Sequence, residues 1–271
     1  MGSITVASLF CGIGGLDLGF HESGMKILYA CDNDPDAVTS FNLNFGEIAH
    51  QADVTSDAFH ADMRNLGHVD LLLGGFPCQG FSKAGPKDRH DVRNSLYTEM
   101  LRAVSTLSPR MFVAENVDGL SQNYGGEYVR RIVSEFGELG YAVDARILDA
   151  AAYGVPQHRR RIVFVGRQVD ATFEFTWPAP THAATLRNGE FRASQAMPLF
   201  DPTTGTKVLS RPRTIRDAIG DLEELDEGVP DHEVTGSWDA DYAAIFAAIG
   251  EGQKLCNVRH AETSVYTWDI P

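Results

Sequence analysis

A thiol, a carboxyl and two guanidinium groups stand in this chain where runs of regular structure give way to turns. Cys78 follows the apolar run Leu71 to Leu73 in the segment Gly75-Phe76-Pro77-Cys78-Gln79-Gly80-Phe81-Ser82. Pro77 restricts the backbone before the cysteine and Gly80 frees it afterwards, which presents the thiol as a nucleophile. A free thiol of pKa ~8.5 is only slightly ionised at neutral pH, so amide donors or basic side chains must help it. An isolated cysteine is more often a small buried hydrophobe; the flanking residues favour the reactive reading here. Glu115, in Ala114-Glu115-Asn116-Val117, places a carboxyl at the same edge and is a candidate acid. Gln157-His158-Arg159-Arg160-Arg161 leads into another strand, where alternation sends Arg159 and Arg161 to one face and Arg160 to the other. Plain surface arginines are the alternative.

A second group of residues suits a nucleoside-like ligand. The strand Ile4 to Phe10 runs into Cys11-Gly12-Ile13-Gly14-Gly15-Leu16-Asp17, a glycine-rich turn that lets a ligand approach the backbone. Asp17 stands where a dinucleotide fingerprint needs a third glycine, and the turn lacks a P-loop lysine, which argues against NAD and ATP. Asp32 follows the next strand about twenty residues later, as a ribose-binding carboxylate does, and Asp53 follows His50-Gln51-Ala52. Ligands of open α/β sheets sit at the carboxyl ends of strands, so Phe10, Asp32 and Asp53 can converge on one adenosine. Each aspartate alone could equally cap a helix.

The elements that position these residues alternate in the βαβ manner of a mainly parallel sheet. Strands are expected at 4–10, 27–30, 70–74, 111–114, 142–148 and 161–166, with the clearest helices at 35–44, 96–107 and 127–139. The reading is a Rossmann-like α/β fold with a twisted sheet and helices on both faces. Beyond Gly166 the pattern dissolves into Trp177-Pro178-Ala179-Pro180 and a stretch rich in Thr, Ala and Pro. A catalytic domain over 1–175 and an irregular, incomplete region over 176–271 are expected, with short helices at 213–222 and 242–249.

Composition narrows the classes. The 271 residues are 43% hydrophobic and 22% charged, enough to bury a core, which excludes disorder and coiled coil. No apolar run approaches the ~20 residues of a membrane span, and the N-terminus lacks a basic segment before its apolar stretch, so a cytoplasmic protein is expected. Four cysteines, Cys11, Cys31, Cys78 and Cys256, are too widely spaced for a short-spaced metal pair or a dense disulfide framework. The net charge is −14, but eleven acidic residues and no Lys or Arg fall between Asp217 and Glu251, leaving −3 elsewhere. Net charge therefore does not oppose nucleic-acid binding. Local basic groups suit it: Lys83, Lys87, Arg89 and Arg93 in one stretch, and Arg159, Arg160, Arg161 and Arg167 in another.

Taken in order, the segments SLFCGIGGLDLGF (8–20), ACDNDPDAV (30–38), QADV (51–54), GGFPCQGFSKAG (74–85), VRNSLYTEMLR (92–102), AENVDGL (114–120) and YGVPQHRRRIVFVG (153–166) closely resemble the DNA cytosine-5 methyltransferase family. The resemblance implies an S-adenosylmethionine-dependent enzyme that turns a cytosine out of double-stranded DNA. It implies that Cys78 attacks C6, that Glu115 holds N3 and the amino group, that Arg161 contacts the carbonyl oxygen, and that Arg159 lies near the thiol or a phosphate. Phe10, Gly12, Ile13, Gly15, Leu16, Asp32, Asn33, Asp53, Val54, Pro77 and Leu96 match cofactor-contacting positions. Gln79, Ser82, Lys83, Lys87, Arg89 and Arg93 are expected to face DNA, in a segment 79–94 expected to act as a lid.

The chain departs from the family pattern in places. Asp32 replaces the usual Glu, a carboxylate one methylene shorter, and Asn94 replaces a common Gly. RPRTIRDAIGDLEEL (211–225) resembles the segment that introduces the target-recognition region, and the later family motifs are not recognisable. The expectation is that a truncation or a second polypeptide accounts for them. Rival readings are a tRNA cytosine-5 methyltransferase, disfavoured by Ser82 where Thr is usual, a non-catalytic binding subunit, and a Rossmann oxidoreductase.

Overall fold

The computed structural model describes residues 2–77, 96–122, 126–185, 191–192 and 209–221. The chain divides into compact units Met1–Ala218 and Ile219–Pro271, and nearly all described residues belong to the first.

The elements run β1 (Thr5–Leu9), α1 (Asp17–Glu22), β2 (Lys26–Asp32), α2 (Pro35–Phe45), β3 (Ala49–Gln51), α3 (Asp57–Leu66), β4 (Leu71–Gly74), α4 (Tyr97–Leu107), β5 (Met111–Val117), α5 (Gly119–Gln122), α6 (Glu127–Glu138), β6 (Tyr141–Asp149), a 3-10 turn (Ala150–Tyr153), β7 (Arg160–Gln168), the two-residue strands β8 (Ala184–Thr185) and β9 (Phe191–Arg192), and α7 (Ile215–Ile219). Seven strands form one sheet in the order β3-β2-β1-β4-β5-β7-β6. The first five pair in parallel, and β7 inserts antiparallel between β5 and β6.

Burial on both faces explains the near-continuous apolar strands. On one face Ala7, Leu9, Leu72 and Phe112 pack with α3, α4 and α6 through Phe59, Met63, Met100, Val104, Ile132 and Phe136. On the other, Val6, Leu71, Leu73 and Val113 pack with Phe41, flanked by Leu16 and Phe20 and by Phe175 and Trp177. Phe41, Phe59, Phe112, Phe136 and Phe164 are fully buried, and truncating any of them to Ala should cost about 3–5 kcal/mol.

Helix starts are written locally. Asp34 accepts the amides of Asp36 and Ala37 ahead of Pro35, and Ser56 accepts the amide of Phe59. After residue 175 the chain stays tied to this unit. The Trp177 indole donates to Asp144, and the amides of Thr181 and His182 both donate to the Ala152 carbonyl. The expected helix at 213–222 is five residues long, and the one at 242–249 lies outside the described residues.

Candidate active site

The carboxyl ends of β1, β2, β4 and β5 share one edge of the sheet, and among the described residues Phe10, Asp32 and Glu115 stand there. After β1 the chain turns abruptly. Phe10 has φ 55°, Gly12 φ 54° and Gly14 φ 90°, and the Gly14 amide donates to the Cys11 carbonyl at 2.9 Å. A non-glycine residue in the left-handed region is uncommon and marks a built feature. A Cβ at Gly14 would lie 2.2 Å from the Phe45 ring, so α2 packs directly on the turn. A Cβ at Gly12 or Gly15 would meet nothing within 4 Å.

Asp32 ends β2 and reaches back to this turn. Its Oδ2 accepts the Gly12 amide at 2.8 Å and its Oδ1 the Asp34 amide at 3.1 Å. Capping falls to Asp34, which leaves Asp32 at the sheet edge bracing the glycine turn. Asp53 bonds the amide and hydroxyl of Thr55 through Oδ1, which lowers its pKa. Ile13 and Asn33 are exposed, Phe10, Leu16, Pro77 and Leu96 are partly buried, and the Val54 side chain belongs to the core.

The second cluster lies where β5 meets β7. Glu115 stands opposite Val163 and Val117 opposite Arg161, so Glu115 and Arg161 are diagonal neighbours on one face. Arg161 Nε donates to Glu115 Oε1 at 2.7 Å. Arg160 points the other way, with Nε 3.6 Å from Asp118 Oδ2, as strand alternation requires. Burial pushes the Glu115 carboxyl above its ordinary value, opposed by the charges of Arg161 and then Arg159. The carboxyl thus holds its proton to higher pH than a free glutamate does, which suits a group that donates.

Two contributors had no signature in the sequence. Asn116, 2% exposed, donates from Nδ2 to the Phe76 carbonyl at 2.9 Å, fixing the end of β4 to the end of β5. Asp149 accepts the Arg159 amide at 3.1 Å. The bonds span 40 and 10 positions, neither a helix nor a strand spacing, so periodicity does not report them. Cys78, Gln79, Ser82, Lys83, Lys87, Arg89, Arg93 and the expected lid 79–94 lie outside the described residues. The described chain reaches Pro77, immediately before Cys78.

A family model described as C-5 cytosine-specific DNA methylase matches residues 4–240. The chain belongs to the C-5 cytosine-specific DNA methylase family. It is 39% identical over 202 residues to the type II methyltransferase M.BspRI of Lysinibacillus sphaericus, covering 65% of this chain and 47% of that one. It is 35% identical to M.AquIA of Picosynechococcus, covering 79% of this chain and 87% of that protein. A DNA modification methyltransferase encoded within an E. coli prophage superposes with a TM-score of 0.59 at 24% identity, covering 94% of this chain and 67% of that one, which shows the shared Rossmann-like fold. The chain spans about half the length of the first curated relatives it matches. None of these names speaks of a second polypeptide.

Members of this methylase family imply S-adenosylmethionine as methyl donor, and the residues present fit it. Open space faces Gly12 and Gly15 where any larger side chain would intrude, and a carboxylate stands at the β2 tip for ribose hydroxyls. Among the described residues no helix is long and apolar enough to cross a membrane.

Proposed function

We propose that this chain carries the catalytic half of a DNA cytosine-5 methyltransferase acting on double-stranded DNA. Phe10, Gly12, Ile13, Gly15, Leu16, Asp32, Asn33, Asp53, Val54, Pro77 and Leu96 hold S-adenosylmethionine. When bound, that cofactor supplies an electrophilic methyl group.

An aromatic pyrimidine carbon is a poor nucleophile, so the protein must first make it electron-rich. The Cys78 thiolate adds to C6 of a cytosine turned out of the duplex, and the ring electrons move toward N3. Glu115, whose hold on its proton burial strengthens, donates that proton to N3 as negative charge develops there. Arg161 braces that carboxyl and reaches the carbonyl oxygen of the base, with Arg159 beside it. C5 then receives the methyl group; its own proton passes to water or a base, the C6–S bond breaks to release Cys78 as thiolate, and N3 returns its proton to Glu115, which restores the neutral aromatic ring. Gln79, Ser82, Lys83, Lys87, Arg89 and Arg93 contact DNA, the basic ones through phosphates. Residues 1–175 form the catalytic domain, and 176–271 begin the region that reads the target.

The observation that carries this reading is the Glu115–Arg161 pair at the carboxyl edge, with Asn116 fixing the backbone that leads through Pro77 to Cys78. The test mixes the chain with tritiated S-adenosylmethionine and mixed-sequence DNA, with Cys78→Ala as control. Label in DNA that vanishes in the control is expected. Label that persists in the control, or enters RNA and not DNA, overturns the assignment.

A further inference from the structure

Asp149 closes β6 and precedes the 3-10 turn, and its carboxyl serves three groups at once. Oδ1 accepts the Ala151 amide at 3.2 Å, the ordinary cap of that turn. The same oxygen accepts the Arg159 amide at 3.1 Å, ten residues away. Oδ2 lies 3.1 Å from His158 Nδ1. Alongside, the Ala150 amide donates to the Arg159 carbonyl at 3.0 Å. These bonds close the excursion 150–159 at its mouth, because Asp149 stands opposite Arg160 where the β6–β7 ladder begins. One residue further on, Arg161 meets Glu115.

A cap needs only the Ala151 bond. The Arg159 bond does something else, since with the Ala150–Arg159 backbone bond it ties down the point at which the arginine run leaves the turn and enters β7. The turn is also held from its outer side, where the Thr181 and His182 amides donate to Ala152 and a Cβ on Gly154 would lie 2.7 Å from the His182 ring. With the turn clamped there, Arg159 is held on its amide by the Asp149 carboxyl and on its carbonyl by the Ala150 amide. The His158 side chain is 51% exposed, so its pairing with Asp149 is screened by water and contributes little.

We infer that Asp149 is a positioning residue of the reaction: through the Arg159 amide it holds Arg161 against Glu115 and places Arg159 beside them. The inference rests on the proposed methyl transfer wherever turnover is the readout. A misplacement of about 1 Å near reacting groups costs ~100-fold in rate.

Two variants of the full chain separate capping from positioning. Asp149→Asn keeps an oxygen that can accept from both amides. Asp149→Ser keeps a good cap for Ala151 but is too short to serve Arg159 as well. Three readouts are taken: the thermal midpoint, the Arg161 Nε–H resonance by NMR, and kcat and KM for methyl transfer. The expectation for Asp149→Ser is a near-normal midpoint, a shifted and faster-exchanging Arg161 resonance, and kcat down ~10- to 100-fold with the S-adenosylmethionine KM within ~2-fold. Asp149→Asn should keep the resonance, and kcat within ~3-fold. Asp149→Ser indistinguishable from wild type, or Asp149→Asn as impaired as Asp149→Ser, overturns the inference. Should the wild-type chain transfer no methyl group, the proposed function fails, while the Arg161 resonance still decides the positioning role.

Discussion

At Glu115, burial and cationic neighbours act in opposite directions, and burial prevails. Removing the guanidinium in Arg161→Ala should therefore raise the Glu115 pKa further, read by carboxyl NMR titration; a fall would contradict the assignment of causes. Glu115→Gln should lower kcat by ~10²- to 10⁴-fold, the ordinary value of a positioned acid, with cofactor binding retained. Asp17 is another carboxyl that burial pushes upward. It is fully buried, neither oxygen meets good hydrogen-bond geometry among the described residues, and burial raises its pKa against a smaller opposing effect of the nearby Ser8 hydroxyl. A folded-state pKa above the unfolded value gives stability that is present below about pH 3.8 and lost as pH rises through the folded value. Asp17→Asn cannot ionise, so its stability relative to wild type should grow as pH rises from the unfolded toward the folded pKa of Asp17. Urea unfolding between pH 4 and 8 measures this, and a gap independent of pH would refute it.

Elements decide which residues could be foreseen. The β1 turn was legible because glycines and an acid twenty residues later follow from ligand approach to a strand end, and Arg160 and Arg161 part to opposite faces because strands alternate. β3 is only three residues long, too short for alternation to show. The expected end of β5 at Ala114 fell short because its last three residues pair with a strand that arrives more than forty positions later. Asn116 and Asp149 were illegible for the same reason, since their partners are set by tertiary closure. Within the turn, space and backbone conformation act separately. Gly14→Ala combines a positive φ with a Cβ 2.2 Å from Phe45, and should destabilise the fold by about 2–4 kcal/mol. Gly12→Ala meets open space, so only its φ of 54° opposes it, at about 1 kcal/mol. Its larger effect should be weaker S-adenosylmethionine binding, because the new methyl occupies the open side. Calorimetric titration and thermal melting of the two variants distinguish these costs, and equal destabilisation would show that packing by α2 is not what constrains Gly14.

Over the whole molecule, charge is segregated along the sequence, which makes the overall −14 a poor guide to what the chain binds. Eleven acids crowd 217–251, while Lys83, Lys87, Arg89 and Arg93 lie in the segment that follows the candidate nucleophile. Phosphate contacts release counterions, so each one steepens the salt dependence of DNA affinity by about 0.9 in log K against log salt. Replacing those four residues with Ala should flatten the slope by up to ~3.6 and weaken binding to unrelated duplexes alike, because phosphates carry no sequence information. Fluorescence anisotropy from 50 to 300 mM salt reads both effects. A slope left unchanged would move the phosphate contacts to Arg159 and its neighbours. A loss confined to one duplex sequence would mean that these side chains read bases, a different kind of recognition from the one their charge and spacing support.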